Sequence, residues 1–247
     1  MMTIVLLPGM DGTGVMFAPL VAALGPAVRV QVVSYPTTVP LDYAVLEVLV
    51  RAALPTDGPY ILLGESFSGP IAVALAATAP PQLRGVILCC TFVRNPRPLC
   101  AFLRALIKIV PFAHVPRCIL VHLLLGKYVT PALWAMLAQA LEAVSPAVLR
   151  ARLQAVRSVD VALQLKAIKV PVLLLRALHD RVVPRAASRL ISLWCPHAKC
   201  VALDGPHLLL QVAPVVAARV VLEFVRDASE ERDPDGVNSH LNSGRAR

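Results

Sequence analysis

The 247-residue chain is expected to fold as an α/β protein: a doubly wound, six-stranded, mainly parallel sheet with helices on both faces and a helical lid insertion. Three observations predict this. Apolar residues make up 57% of the chain and charged residues only 16%, a balance that excludes intrinsic disorder and coiled coil for its body. The apolar residues fall in six short runs rich in Val, Ile and Leu, as strands buried on both faces do. Helical-period stretches separate the first four runs, and strand, helix, strand at that spacing argues for parallel pairing through right-handed crossovers. At this length folding buries roughly 70–75% of the unfolded chain's surface, so the core needs no disulfide or metal staple.

Residues 3–7 form the first strand, ended by Pro8-Gly9. With no basic segment ahead of it, this run is read as a strand and not as a signal peptide. A helix over 16–24 leads to a strand over 28–34, and a helix over 41–54 to a strand over 60–64. A helix over 67–78 and a strand over 85–91 follow. The repeat then breaks. Residues 93–157 carry helical patterning punctuated by Pro96, Pro98, Pro111, Pro116, Pro131 and Pro146, and are predicted to form a lid inserted between the fourth and fifth strands. A strand over 170–176, a helix over 185–194, a strand over 198–203 and a helix over 212–227 complete the chain. Pro184 suits the first turn of its helix, where a missing N–H costs nothing. The core is thus 1–92 with 158–226, and the polar, acidic stretch 227–247 is predicted to be a disordered tail.

A membrane-spanning helix needs about 20 apolar residues in a row. Arg104, Lys108 and Arg117 interrupt one candidate, Pro171 a second, and Gln211, Pro214 and Arg219 a third. The six cysteines, Cys89, Cys90, Cys100, Cys118, Cys195 and Cys200, lack metal-ligand spacing and are expected to be buried, reduced thiols of a cytoplasmic protein. The net charge of +9 is concentrated in residues 93–157, which hold nine basic residues against one acid, Glu142. Those bases are interleaved with Leu and Ile and fit no nucleic-acid-binding module.

The chemistry is carried by three segments. Gly64-Glu65-Ser66-Phe67-Ser68-Gly69 joins an apolar strand to an Ala-rich helix through a tight turn with Ser66 at its apex, the context that exposes a nucleophilic serine. Asp180 follows the fifth strand and His207 the sixth. The order Ser, Asp, His is that of hydrolases built on a doubly wound sheet, and all three lie at strand ends, where open parallel sheets place their sites. His207 is the expected base and Asp180 the orienting acid. The expected oxyanion donors are the backbone N–H groups of Phe67 and of Met10, in the loop after the first strand. His179 as base and Asp204 as acid are the competing assignments. His114 and His122 are expected to be core or lining residues, His197 and His240 surface or tail residues, and Glu65 structural.

These segments resemble the α/β-hydrolase superfamily of serine esterases across residues 1–226. Within it the likeness is greatest to the pimeloyl-acyl-carrier-protein methyl ester esterases, on Val170-Pro-Val-Leu-Leu-Leu, Asp180-Arg-Val-Val-Pro-Arg, Leu193-Trp-Cys-Pro-His and His207 before the last helix. The resemblance implies a carboxylesterase without a cofactor. It departs in three places: Pro8-Gly9 replaces the usual His-Gly, Ser68 replaces a glycine of the elbow, and the chain opens on the family's third strand, so that the first hairpin is missing. The expected function is ester hydrolysis through an acyl-enzyme on Ser66. The alternatives are an acyltransferase passing the acyl group to an alcohol, or a non-catalytic binding module. Arg104 and Lys108 lie four apart on one helix face; that face is either a basic solvated surface or one that attracts an acidic acyl-carrier protein or an anionic membrane surface toward a site for a small acyl ester.

Overall fold

The computed structural model describes residues 1–96 and 117–230. The six apolar runs become strands Thr3–Leu7 (β1), Arg29–Val32 (β2), Tyr60–Glu65 (β3), Leu83–Cys89 (β4), Val172–Ala177 (β5) and Lys199–Leu203 (β6). They form one sheet in the order β2-β1-β3-β4-β5-β6, every neighbouring pair parallel. The described α-helices are Ala18–Leu24 (α1), Tyr43–Ala52 (α2), Gly69–Ala77 (α3), Arg117–Leu124 (α4), Pro131–Glu142 (α5), Pro146–Ser158 (α6), Ala162–Ala167 (α7), Arg185–Trp194 (α8), Leu209–Val212 (α9) and Pro214–Glu230 (α10).

Strand residues alternate between faces, and the alternation builds two cores. On one face Val5, Leu62, Val86, Leu88 and Leu174 pack with Leu46 and Val50 of α2, Ile71 and Leu75 of α3, and Ile191 of α8. On the other, Ile4, Leu6, Ile61, Leu63, Leu173 and Leu175 pack with Leu20 and Leu24 of α1 and with Val221 and Phe224 of α10. The strands therefore read as unbroken apolar runs in the centre of the sheet, and β1 and β3 are buried along their whole length. At the edges, β2 and β6 leave Arg29, Val32, Lys199 and Cys200 exposed.

Two of the prolines that break up the insertion's pattern turn out to open helices. Pro131 and Pro146 are the first residues of α5 and α6, and the Thr130 and Ser145 side chains before them accept from the N–H groups of Leu133 and Val148. This is the arrangement in which proline loses nothing. The described part of the insertion, α4 to α6, contains no strand. Its base is closed by an antiparallel bridge between Arg94 and Asp160, whose side chains pair at 2.9 Å, and by a hydrogen bond from Val161 N–H to the Val93 carbonyl at 2.8 Å.

The differences from expectation are local. Helix α10 continues to Glu230, past the expected tail start at Asp227. Pro184 caps α8 with extended backbone instead of entering its first turn. Helices α7 and α9, of six and four residues, are too short to show a period. Cys118 and Cys200 are exposed, while Cys89, Cys90 and Cys195 are buried, and all five are free thiols. No single described helix is long and apolar enough to cross a membrane; α5 and α6 reach that length only together, across a bend of 95°.

Candidate active site

Ser66 follows the last residue of β3 with φ of +48°, a left-handed conformation that non-glycine residues seldom hold without tertiary support. The support is visible around it. A Cβ on Gly64 would lie 2.8 Å from the Ser68 carbonyl and 3.0 Å from the Ala72 Cβ, so only glycine lets strand and helix close on each other. The Thr91 hydroxyl donates to the Ser66 carbonyl. Behind the turn, the buried Phe67 ring stacks on Tyr43 with centroids 4.7 Å apart, and the Tyr43 hydroxyl donates to the Phe67 carbonyl at 2.9 Å.

The three chain-distant residues meet. Ser66 Oγ lies 2.8 Å from His207 Nε2, and His207 Nδ1 lies 2.9 Å from Asp180 Oδ2. The His207 and Asp180 side chains are 4% and 8% exposed. The other carboxylate oxygen, Asp180 Oδ1, accepts from the N–H groups of Val182 and Val183, each at 2.8 Å. Asp180 is thus clamped by its own loop and can accept a hydrogen bond from Nδ1–H, the tautomer that leaves the Nε2 lone pair facing the serine. The competing pair is accounted for: His179 Nε2 bonds Asp204 Oδ1 at 2.9 Å, with both side chains exposed, and Tyr128 also donates to that oxygen at 2.9 Å. His122 faces Arg181 at 2.6 Å and is exposed, and His197 sits against Cys195 Sγ. His114, His240, Arg104 and Lys108 lie outside the described residues.

The loop after β1 is drawn against the elbow by the residue that departs from the elbow pattern. Buried Ser68 donates its hydroxyl to the Pro8 carbonyl and pairs at 2.7 Å with the Tyr35 hydroxyl. A glycine here could do neither. Met10 and Phe67, the expected oxyanion donors, sit on the two segments this bond joins. Met10 and Asp11 form a turn closed by Gly12 N–H on the Gly9 carbonyl at 3.1 Å.

Two buried ionisable groups flank that turn. Glu65 accepts from Gln211 Nε2 at 3.0 Å; burial pushes its carboxyl up from the ordinary 4.5 to about 7, the Gln211 bond opposing this and Asp11 adding to it. Arg152, on α6, is 2% exposed. Its Nη1 donates to the carbonyls of Met10 and Asp11, both at 2.8 Å, and its Nη2 to the carbonyl of Pro36 at 2.9 Å. Arg152, one of the nine basic residues of 93–157, is therefore a buried residue of the site. Sequence reasoning also missed Tyr35 and Gln211. Ser68 alone left a signal, as the irregular position of the elbow.

Solved structures resemble this chain over nearly its whole length. A lipase-esterase related protein from Clostridium acetobutylicum ATCC 824 superposes with a TM-score of 0.74 at 18% identity, covering 92% of this chain and 93% of the other. The enol-lactonase from Burkholderia xenovorans LB400 gives 0.73 at 22% identity over 91% of both chains, and MenH from S. aureus gives 0.77 at 16% identity over 92% and 94%. At such identities the likeness establishes the α/β-hydrolase fold. No curated protein matches the chain. The model of a hydrolase family described as serine aminopeptidase, S33, matches residues 38–201, a stretch that includes Ser66 and Asp180 and stops short of His207. As that match spans more than half of the sequence, the chain belongs to the serine aminopeptidase, S33, family of hydrolases.

Proposed function

We propose that the protein hydrolyses carboxylic esters through an acyl-enzyme on Ser66. The observation that carries this reading is the unbroken hydrogen-bonded line from Ser66 Oγ through His207 to Asp180. His207 Nε2 takes the Ser66 proton as Oγ bonds the ester carbonyl carbon. Asp180 holds the imidazole in the required tautomer and stabilises its cation. The tetrahedral oxyanion is bound by the N–H groups of Phe67 and Met10. Phe67 lies in the first turn after the strand, where amides have no intrahelical acceptor. Each donor of this kind is worth about 3–4 kcal/mol in the transition state. The carbon–oxygen bond to the alcohol then breaks as His207 returns the proton to the leaving oxygen. Water, deprotonated by the same imidazole, releases the acid.

We expect Ser66→Ala to lower turnover of p-nitrophenyl esters by about 10⁴-fold or more with little change in thermal unfolding. A fully active variant would overturn the reading. Graded acyl lengths map the preferred substrate. The family description favours one further reading, peptide hydrolysis by the same triad, and aminoacyl p-nitroanilides in the same panel separate the two.

On the finer question of substrate we propose an acyl ester carried by an acidic acyl-carrier protein, following the resemblance to pimeloyl-carrier methyl ester esterases. Exposed Lys127, Arg150 and Arg157 support an anionic partner. Turnover of a carrier-bound ester should fall with salt while a neutral small ester is insensitive, because such steering is screened beyond about 8–10 Å. Stimulation by anionic vesicles instead would point to a membrane surface. We read the protein as cytoplasmic, a reading that the five free thiols support.

A further inference from the structure

We propose that Arg152 is a positioning residue for the oxyanion-binding turn, so that a helix of the insertion supplies part of the transition-state machinery. The proposal rests on the hydrolase reading above and on Met10 as an oxyanion donor.

The geometry is specific to that turn. Gly9, Met10, Asp11 and Gly12 make four successive residues closed by the Gly12 N–H on the Gly9 carbonyl. The Gly9 carbonyl and the Met10 N–H belong to one planar trans peptide, so fixing the carbonyl aims the N–H in the opposite direction. The two central residues are held by a single nitrogen, Arg152 Nη1, which reaches both of their carbonyls at 2.8 Å. The fourth residue is held as well. Its carbonyl accepts from Tyr35 N–H at 2.7 Å, and the Tyr35 ring lies 5.6 Å from the guanidinium carbon.

The fit leaves no slack. Gly12 has φ of +69°, and a Cβ there would stand 2.5 Å from Arg152 Nη1. The side chain of Met10 is held by the same part of the insertion, packing against Val144, Val148 and Leu149. A guanidinium suits this position because it is planar, stays charged, and presents several donors in fixed directions. Its bonds to carbonyls are charge-assisted and strong. A donor pre-aimed at the developing oxyanion costs no reorganisation during reaction, and Arg152 holds the two carbonyls that follow it in the turn, fixing the residue that carries it.

Arg152→Met and Arg152→Lys, compared with the wild-type enzyme, test this. Three measurements are needed: kcat and KM on a p-nitrophenyl ester, the rate at which a p-nitrophenyl phosphonate labels Ser66, and the pH profile of kcat/KM. The Met variant should lose about 100–1,000-fold in kcat, the effect of losing one oxyanion donor, with KM within about threefold. Phosphonate labelling should slow in parallel, because its transition state uses the same donor. The midpoint of the pH profile should stay in place, since His207 and Asp180 are untouched; an arginine that only stabilised the insertion would not produce this combination. The Lys variant keeps a cation with N–H donors but loses the planar fork, and should recover part of kcat. Unchanged kcat, or a loss confined to KM, overturns the proposal. Failure of the wild-type enzyme itself to hydrolyse esters or label at Ser66 overturns the hydrolase reading instead, and the two failures are distinct.

Discussion

The two sides of the Gly9–Gly12 turn bury a charge in opposite ways. On the elbow side, Glu65 has one side-chain donor, Gln211, whose own Oε1 is buried without a partner. On the insertion side, Arg152 serves three carbonyls. Burial penalises the charged form of both. It draws the pKa of Arg152 down from its ordinary value, with Asp11 opposing, yet a guanidinium has far to fall before it loses its proton. Glu65 has little to fall back on, and its carboxyl reaches about 7. A buried ion is kept where the backbone solvates it and neutralised where it does not. The elbow side can therefore change its charge near neutral pH, whereas the insertion side holds a constant one.

Three measurements can break or sharpen this contrast. The largest effect is expected from Arg152→Met in urea unfolding. Each buried carbonyl left without a donor costs about 1–3 kcal/mol, so the variant should lose roughly 4 kcal/mol. A loss below about 1 kcal/mol would show that water replaces the guanidinium freely.

Glu65 comes next. Its native carboxyl keeps a proton that the unfolded chain releases, so its contribution to stability is full below about pH 4.5 and is lost as pH rises through about 7. The whole swing is roughly 3 kcal/mol. Glu65→Gln, a neutral isostere that still accepts from Gln211, should flatten this part of the stability–pH curve. A curve unchanged by the substitution would assign the slope to another group.

The smallest effect is expected from Tyr35→Phe, between the two regions. It removes the hydroxyl from Ser68 Oγ and leaves the ring beside the guanidinium, for a loss of about 1 kcal/mol. A much larger loss would mean that the elbow and the insertion are coupled through this ring.

The legible parts of the molecule are those in which sequence order and spatial order coincide. The strands could be read because a parallel sheet covered on both faces forces apolar runs. The meeting of Ser66, His207 and Asp180 could be read because each lies within four residues of the C-terminal end of a strand. Arg152 could not be read in this way. It sits in a helix with Arg150 and Arg157, both exposed, and nothing in the 3.6-residue pattern separates a base that faces solvent from one that faces the β1 turn. Tyr35 and Gln211 were hidden for the same reason, since their partners are 33 and 146 residues away. Ser68 shows the intermediate case: its departure from glycine is visible in sequence, while its hydroxyl's partners are not.

The doorway through which the insertion leaves and rejoins the core has a consequence for evolution and for engineering. Arg94 and Asp160 meet there as a bridge, and Val93 and Val161 share a backbone hydrogen bond. Closing a loop costs only about 0.6 kcal/mol more for each doubling of its length. Segments of different length can therefore be exchanged at this doorway at little cost in loop closure. Any replacement must still return donors to the carbonyls of Met10, Asp11 and Pro36, because without them the turn beside Ser66 is left unbraced.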